Sequence, residues 1–333
     1  MATPGPGLTA RFRQDLEAAL GVPAEDARIA LAVSGGPDSM AMLALAHAAL
    51  PGGVIAATVD HGLRPAAAME AAMVASHCAA AAIPHRTLTL ESPPAGASVQ
   101  ARAREARYAA LFAWAGDEGA AALATAHHAD DQAETLLMRA ARGSGLPGLA
   151  AIRERREHMA GCGAAMLLVR PLLNWRRDEL RAIAEDCDLP FVHDPSNADD
   201  SFDRTRFRRM LEANRWLDVG NIARCAAHLA EAERALIAAV DMLWDDRAAI
   251  EGAAVTLDPR DLPRELLRRL VRNAIGHVRA AAPDAEGEWN DAANIEPLLD
   301  ALEAGRGATQ AGVQASARRG SWHFRPAPPR RSP

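Results

Sequence analysis

The run Leu31-Ala-Val-Ser-Gly-Gly-Pro-Asp-Ser39 limits what this chain can fold into more than any other stretch. It joins an apolar segment, Ala27–Val33, with the signature of a buried strand to a segment of strong helix formers from Met40 to Leu50. Gly35 and Gly36 permit a tight turn and close backbone approach, so main-chain N–H groups can converge on one point. Ser34 and Ser39 add hydroxyls, and the following helix directs the positive end of its dipole at the turn. A ligand-free turn would also use two glycines. The hydroxyls, Asp38 and the placement between strand and helix favour a phosphate cradle. This stretch carries neither Gly-x-x-x-x-Gly-Lys nor Gly-x-Gly-x-x-Gly, so it is not one of the two commonest nucleotide loops.

The pattern around the cradle is a repeat of strand and helix. Gly53–Asp60, Ile83–Leu90, Ala120–Ala126 and Met166–Leu173 read as further strands, and Ala66–Ala82, Ser98–Trp114, Asp130–Ala141 and Asp178–Cys187 as helices, with Ser98 as an N-cap. Arg153–Arg156 reads as a charged surface segment. Such alternation predicts an α/β fold with a doubly wound, mostly parallel sheet. Three polar clusters, Ser34–Ser39, Asp60–Arg64 and His127–Glu134, then fall just beyond strand ends, where such sheets bind ligands. Past Arg209 the pattern turns to Ala/Leu/Arg/Glu-rich helices (about 221–249, 261–280 and 291–304) without intervening strands. The expected division is 1–215 for the α/β domain, 216–304 for a helical domain, and 305–333 for a flexible or hairpin-like tail, with Gln314–Phe324 as the hairpin.

Composition narrows the function classes. At 333 residues two domains are expected, and with 49% hydrophobic but 4% aromatic residues the cores are aliphatic. The net charge of -6 gives no global nucleic-acid signature, so a basic surface has to be local. All 37 basic side chains are arginine; there is no lysine. Cys78, Cys162, Cys187 and Cys225 lack zinc or iron–sulfur spacing and read as reduced thiols. No leader or membrane-spanning run is visible, so a cytoplasmic protein without a membrane partner is expected.

In Thr125–Thr135, His127, Asp131 and Glu134 would share one face if the helix includes His127. That set can hold a metal, bind an ammonium group or act as a base, though acidic residues also favour any helix start. A His-Asp metal phosphohydrolase shows a similar pair, but on an all-helical fold. The arginines of Ser98–Tyr108 fit a solvated helix face. Arg204, Arg206, Arg208, Arg209 and Arg215 form a denser cluster after the turn Asp194–Asn197, and this cluster suggests phosphate or RNA contact.

These motifs, in order, resemble a known family. Ser-Gly-Gly-Pro-Asp-Ser, Val59–Arg64, Gln100-Ala-Arg102 with Arg107-Tyr108, His127–Thr135, Arg170-Pro-Leu-Leu173 and Asp194–Asn197 are similar to those of the bacterial tRNA(Ile)-lysidine synthases, within the N-type ATP pyrophosphatase (PP-loop) superfamily. The resemblance covers about 27–215. It implies that ATP adenylylates C2 of the wobble cytidine of tRNA(Ile) with a CAU anticodon, and that free L-lysine then displaces AMP. It further implies that Ser34, Gly35, Gly36, Pro37, Asp38 and Ser39 hold pyrophosphate, with Mg²⁺ at Asp38 and Asp60 near the nucleotide. His127, Asp131 and Glu134 would organise cytidine and lysine, and Arg107 and Arg206 would steady phosphate or base. Arg204-Thr-Arg-Phe-Arg208 departs from the family's Arg-Asn-x-x-Arg, which shifts the alignment of Arg206 by up to two residues. Longer members carry a further C-terminal domain that is not expected here. Oligomeric state is not set by these motifs. The alternatives are a PP-loop cytidine thiolase, which usually employs cysteine pairs, and a non-catalytic nucleotide-binding module.

Overall fold

The computed structural model describes residues 2–25, 27–60, 65–90, 99–159, 165–192, 203–282, 289–290 and 293–328, in two compact units, Met1–Ala230 and Glu231–Pro333. Ser98, His61–Arg64 and the Asp194–Asn197 turn lie outside the described residues. The first unit contains α1 (Pro6–Leu20), β1 (Ile29–Ala32), α2 (Pro37–Ala49), β2 (Val54–Asp60), α3 (Pro65–Ala80), β3 (His85–Thr89), α4 (Val99–Asp117), β4 (Ala122–Ala124) and α5 (Ala129–Ala141). The single turn α6 (Leu146–Leu149), β5 (Arg155–Met159), β6 (Ala165–Val169), α7 (Arg177–Asp186) and α8 (Asp203–Ala213) follow.

Its six strands lie in the order β3-β2-β1-β4-β6-β5, parallel throughout except for β5. Both faces are covered, so the central strands read as unbroken apolar runs. Along β1 the side chains alternate between two cores. Ile29 and Leu31 pack with Phe12, Leu16, Met40, Leu43 and Trp175, whereas Ala30 packs with Leu111, Phe112 and Trp114. The chain steps outward from β1 to β3 on one side and restarts at β4 on the other. The crevice of a doubly wound sheet therefore opens beyond β1 and β4.

The expected strands and helices of this unit are present, with ends displaced by a few residues. Two details differ. Helix α1 was not anticipated, although Phe12, Leu16, Ala19 and Leu20 form one apolar stripe and Gly21 closes it at φ +78°. Arg155 and Arg156, in the expected charged surface segment, begin an edge strand that was not anticipated, and their exposed charges blunt that edge.

Helix α9 (Val219–Arg247) spans the division between the units. Beyond it come β7 (Ala248–Glu251), β8 (Ala254–Leu257), α10 (Arg264–Ala281), α11 (Glu296–Glu303), β9 (Gly307–Gln310), β10 (Val313–Arg318) and β11 (Ser321–Pro326). The expectation of helices without intervening strands is corrected here. A turn at Gly252 (φ +60°) pairs β7 with β8, whose alternating Val255 and Leu257 are buried. The expected hairpin exists as β10 and β11, joined by Arg319 and Gly320, both at positive φ as a tight primed turn requires. With β9 they complete a five-stranded antiparallel sheet, β7-β8-β11-β10-β9, against which α10 and α11 pack. Segment 305–328 is thus structural rather than a loose tail.

Candidate active site

The loop after β1 is held by its own hydroxyls. Ser39 Oγ donates to Gly36 O (2.9 Å) and accepts from Ser34 N–H (3.2 Å), and the two hydroxyl oxygens lie 3.2 Å apart. Gly35 sits at φ +84°, where a Cβ would also come within 3.3 Å of Met73, so only glycine fits without strain. Gly36 has ordinary extended dihedrals and room for a Cβ, the nearest atom being Ser34 Oγ at 3.7 Å. Protein packing therefore does not require glycine there, and close approach of a ligand would. The first N–H groups of α2 have no intrahelical acceptor and stand at the same place.

A cavity of about 990 Å³ opens over this loop. Ser34, Gly36, Pro37, Asp38 and Ser39 form one side, and His127, His128 and Asp131 face them from the start of α5. Arg104, Arg107, Arg177, Arg181, Arg204 and Arg208 supply the cations. Against them stand, among the described residues, three carboxylates on the wall, Asp38, Glu70 and Asp131, so this lining is cationic on a chain of net charge -6.

Helix α5 begins at Ala129 and not at His127. His128 is its N-cap: its Nδ1 accepts from Asp131 N–H (3.4 Å), while its own N–H donates to Asp131 Oδ2 (3.1 Å). His127 lies before the helix with Nδ1 2.9 Å from Thr125 Oγ1. Burial, reinforced by Arg170, Arg104 and Arg204 and opposed by Asp131, pushes its pKa down to about 3. His128 is equally buried, yet Asp131 and Asp38 outweigh the desolvation and raise its pKa; Nε2 lies 3.5 Å from Asp38 Oδ2.

Glu134 is 1% exposed and does not reach the cavity. Its carboxylate accepts from Arg177 Nη2 (2.7 Å), Arg204 Nε (2.7 Å) and Arg208 Nε (2.9 Å), and Arg204 also donates to Asp131 Oδ1 (2.7 Å). Burial would raise the Glu134 pKa, but the bonds from Arg208 and Arg204 hold it below the ordinary value. Asp130 in turn accepts from Arg177 N–H (2.8 Å) and from Arg176 Nε and Nη2 (3.1 and 3.2 Å), joining the starts of α5 and α7. The acidic cluster is therefore a frame that orients arginines.

Of the residues expected from sequence, the structure brings Ser34, Gly36, Pro37, Asp38, Ser39, Arg107, His127 and Asp131 to one cavity. Gly35 shapes the loop from behind, its carbonyl accepting from Val192 N–H. Asp60 stands at the carboxyl end of β2 beside the cavity residues Thr58 and Val59 but not on the wall. Arg206 is 67% exposed and 3.9 Å from Asp203; the helical period turns Arg204 and Arg208 to the cavity in its place. His128, Arg104, Arg177 and Arg181 are not among the residues expected at the site, whereas Arg204 and Arg208 belong to the basic cluster expected to contact phosphate or RNA. The i, i+4 spacing of Arg204 and Arg208 was the available signal.

A divalent cation has one fitting donor. Asp38 Oδ1 is buried without a hydrogen-bond partner, and no group of three His, Cys, Asp or Glu side chains among the described residues is placed to hold a metal. A lone carboxylate suits Mg²⁺ that is shared with nucleotide phosphates rather than caged by protein.

Comparison with known proteins agrees with this geometry. The PP-loop domain family matches residues 8–214. The tRNA(Ile)-lysidine synthase of Novosphingobium aromaticivorans is 44% identical over 98% of this chain and 96% of its own length. That of Zymomonas mobilis is 47% identical over 74% of this chain and 75% of its own. Among solved structures, a U34-tRNA thiolase from Methanococcus maripaludis shares the fold, with a TM-score of 0.54 at 19% identity over 68% of this chain and 80% of that one. The phosphate loop, the switch-point crevice and near full-length similarity converge: this chain belongs to the tRNA(Ile)-lysidine synthase family of PP-loop proteins.

Proposed function

We propose that this chain uses ATP to ligate free L-lysine to C2 of the wobble cytidine of tRNA(Ile) with a CAU anticodon, through an adenylylated tRNA, releasing pyrophosphate and then AMP. The observation that carries the reading is the cationic cavity between the Ser34–Ser39 loop and the arginine wall, in a chain of this family. The loop amides and α2 receive the leaving phosphates. Mg²⁺, when bound at Asp38, supplies charge neutralisation on those phosphates. The arginines counter the remaining phosphate charge of nucleotide and tRNA. Of the two expected carboxylates only Asp131 lines the cavity, so it faces the lysine ammonium, while Glu134 fixes Arg177, Arg204 and Arg208 behind it. A histidine whose pKa is held near 3 is a poor base at neutral pH, so His127 serves as a neutral hydrogen-bonding partner of nucleotide or base. A thiolase would need a reactive thiol. Cys78 and Cys187 are buried in the core, and no cysteine lines the cavity among the described residues.

The test follows pyrophosphate release with ATP and tRNA, then identifies the nucleoside product by mass. Lysidine is expected, formed only when lysine is present; thiolated cytidine, or ATP binding without turnover, would overturn the reading. Asp38→Ala should lower pyrophosphate release about a hundredfold or more with the fold retained, because Asp38 contributes to the cavity wall and not to the core.

A further inference from the structure

Trp216 is 78% exposed, in a chain whose other five tryptophans are either buried (Trp114, Trp175, Trp322) or packed against a core (Trp244, Trp289). A single exposed apolar residue is ordinary. This one differs in how it is held and in what surrounds it. It sits in the turn between α8 and α9, and that turn is pinned on both sides. Asn214 Nδ2 donates to Met210 O (2.7 Å), Leu217 N–H to Asn214 O (2.9 Å), and Asn221 N–H to Asp218 Oδ1 (2.7 Å) as α9 begins. An indole displayed on a fixed turn loses little freedom on binding, and an aromatic face is sequence-tolerant towards any base. Its neighbours are cationic on balance, with exposed Glu212 and Asp218 outnumbered by arginines. Arg215 is the exposed residue before it, and exposed Arg206 and Arg224 lie on the two flanking helices. Helix α8 also presents Arg204 and Arg208 to the cavity. At 1.5 Å rise per residue, the turn begins roughly 8–9 Å along α8 from Arg208, within reach of a short single strand.

We infer that Trp216 is a stacking platform for an unpaired base of the tRNA substrate, close to the nucleotide that enters the cavity, with Arg215 on the adjoining phosphate. The charge of the surroundings selects a polyanion carrying flat faces over an apolar protein surface or a second copy of this acidic chain. The inference rests on the tRNA-modifying reading and adds a contact outside the cavity. Stacking and charge separate in experiment, since only phosphate contacts release counterions and set the salt slope.

The experiment measures the dissociation constant of a tRNA(Ile) transcript with a CAU anticodon for wild type, Trp216→Ala, Trp216→Leu and Trp216→Phe at several salt concentrations. ATP-induced thermal shift and sedimentation are recorded in parallel. Trp216→Ala and Trp216→Leu should weaken tRNA binding about tenfold or more, Trp216→Phe should stay within about threefold of wild type, and the salt slope and ATP shift should not change. Arg215→Ala should instead flatten the slope by about one phosphate contact. The inference is overturned if Trp216→Ala binds as wild type does, if leucine substitutes as well as phenylalanine, or if sedimentation shows Trp216 holding two copies together. Absence of tRNA binding by the wild type would overturn the functional reading itself as well, an outcome visible without any variant.

Discussion

Two adjacent histidines meet opposite electrostatic conditions. Burial, helped by Arg170, Arg104 and Arg204, drives His127 neutral, whereas Asp131 and Asp38 raise the pKa of His128 against its own burial. This has a measurable sign for His127. Its folded pKa of about 3 lies below the ordinary 6.5, so between these values the unfolded chain binds a proton that the folded chain excludes. The corresponding stability is complete above pH 6.5 and is lost as pH falls through that window, at up to about 1.4 kcal/mol per pH unit. His127→Gln should remove that part of the slope in urea unfolding between pH 6 and 4.5; an unaltered slope would show that the imidazole protonates freely in the fold. The sequence offered both histidines, but their spacing to Asp131 and Glu134 favoured His127 only if the helix began two residues early. What ends the helix is the reciprocal cap between His128 and Asp131, a contact that composition does not reveal.

At the scale of elements, α5, α7 and α8 meet through charge. Glu134 of α5 binds one arginine of α7 and two of α8, and removing one partner of a buried ion pair costs about 3–5 kcal/mol because the remaining charges are left uncompensated. Glu134→Ala should therefore lower unfolding stability by that order and increase amide exchange along α8. A variant of normal stability whose only defect is a raised KM for lysine would assign the carboxylate to the ammonium. The elements themselves were legible, since the central strands are apolar runs and the helices between them are rich in helix formers. The site was legible as the Ser34–Ser39 and His127–Glu134 clusters at strand ends; of the third, Asp60 stands off the wall and His61–Arg64 lie outside the described residues. The direction of its arginines was not, because Arg204, Arg206 and Arg208 are equivalent in a linear pattern, and only the helix phase set by buried Thr205 and Leu211 turns two of them inward. The strands β7 and β8 escaped notice for a related reason: each is four residues long, too short for alternation to stand out beside long amphipathic helices.

At the scale of the whole molecule, every basic group on the cavity wall apart from its histidines is a guanidinium, and no side chain of the chain carries a primary amine. Guanidinium stays protonated and is not a nucleophile at any pH the protein would meet, whereas a partly desolvated lysine readily gives up its proton. A pocket that activates a base for attack by an amine thus contains no side-chain amine of its own to attack it, so the activated tRNA is protected from capture by the enzyme. Arg181→Lys would end that immunity. Incubated with ATP and tRNA but without free lysine, the variant should accumulate a covalent protein–tRNA adduct that persists on a denaturing gel, and added lysine should compete it away. Wild type should form none. Here the choice between two cations of equal charge decides whether the catalyst is also a victim of its own reaction.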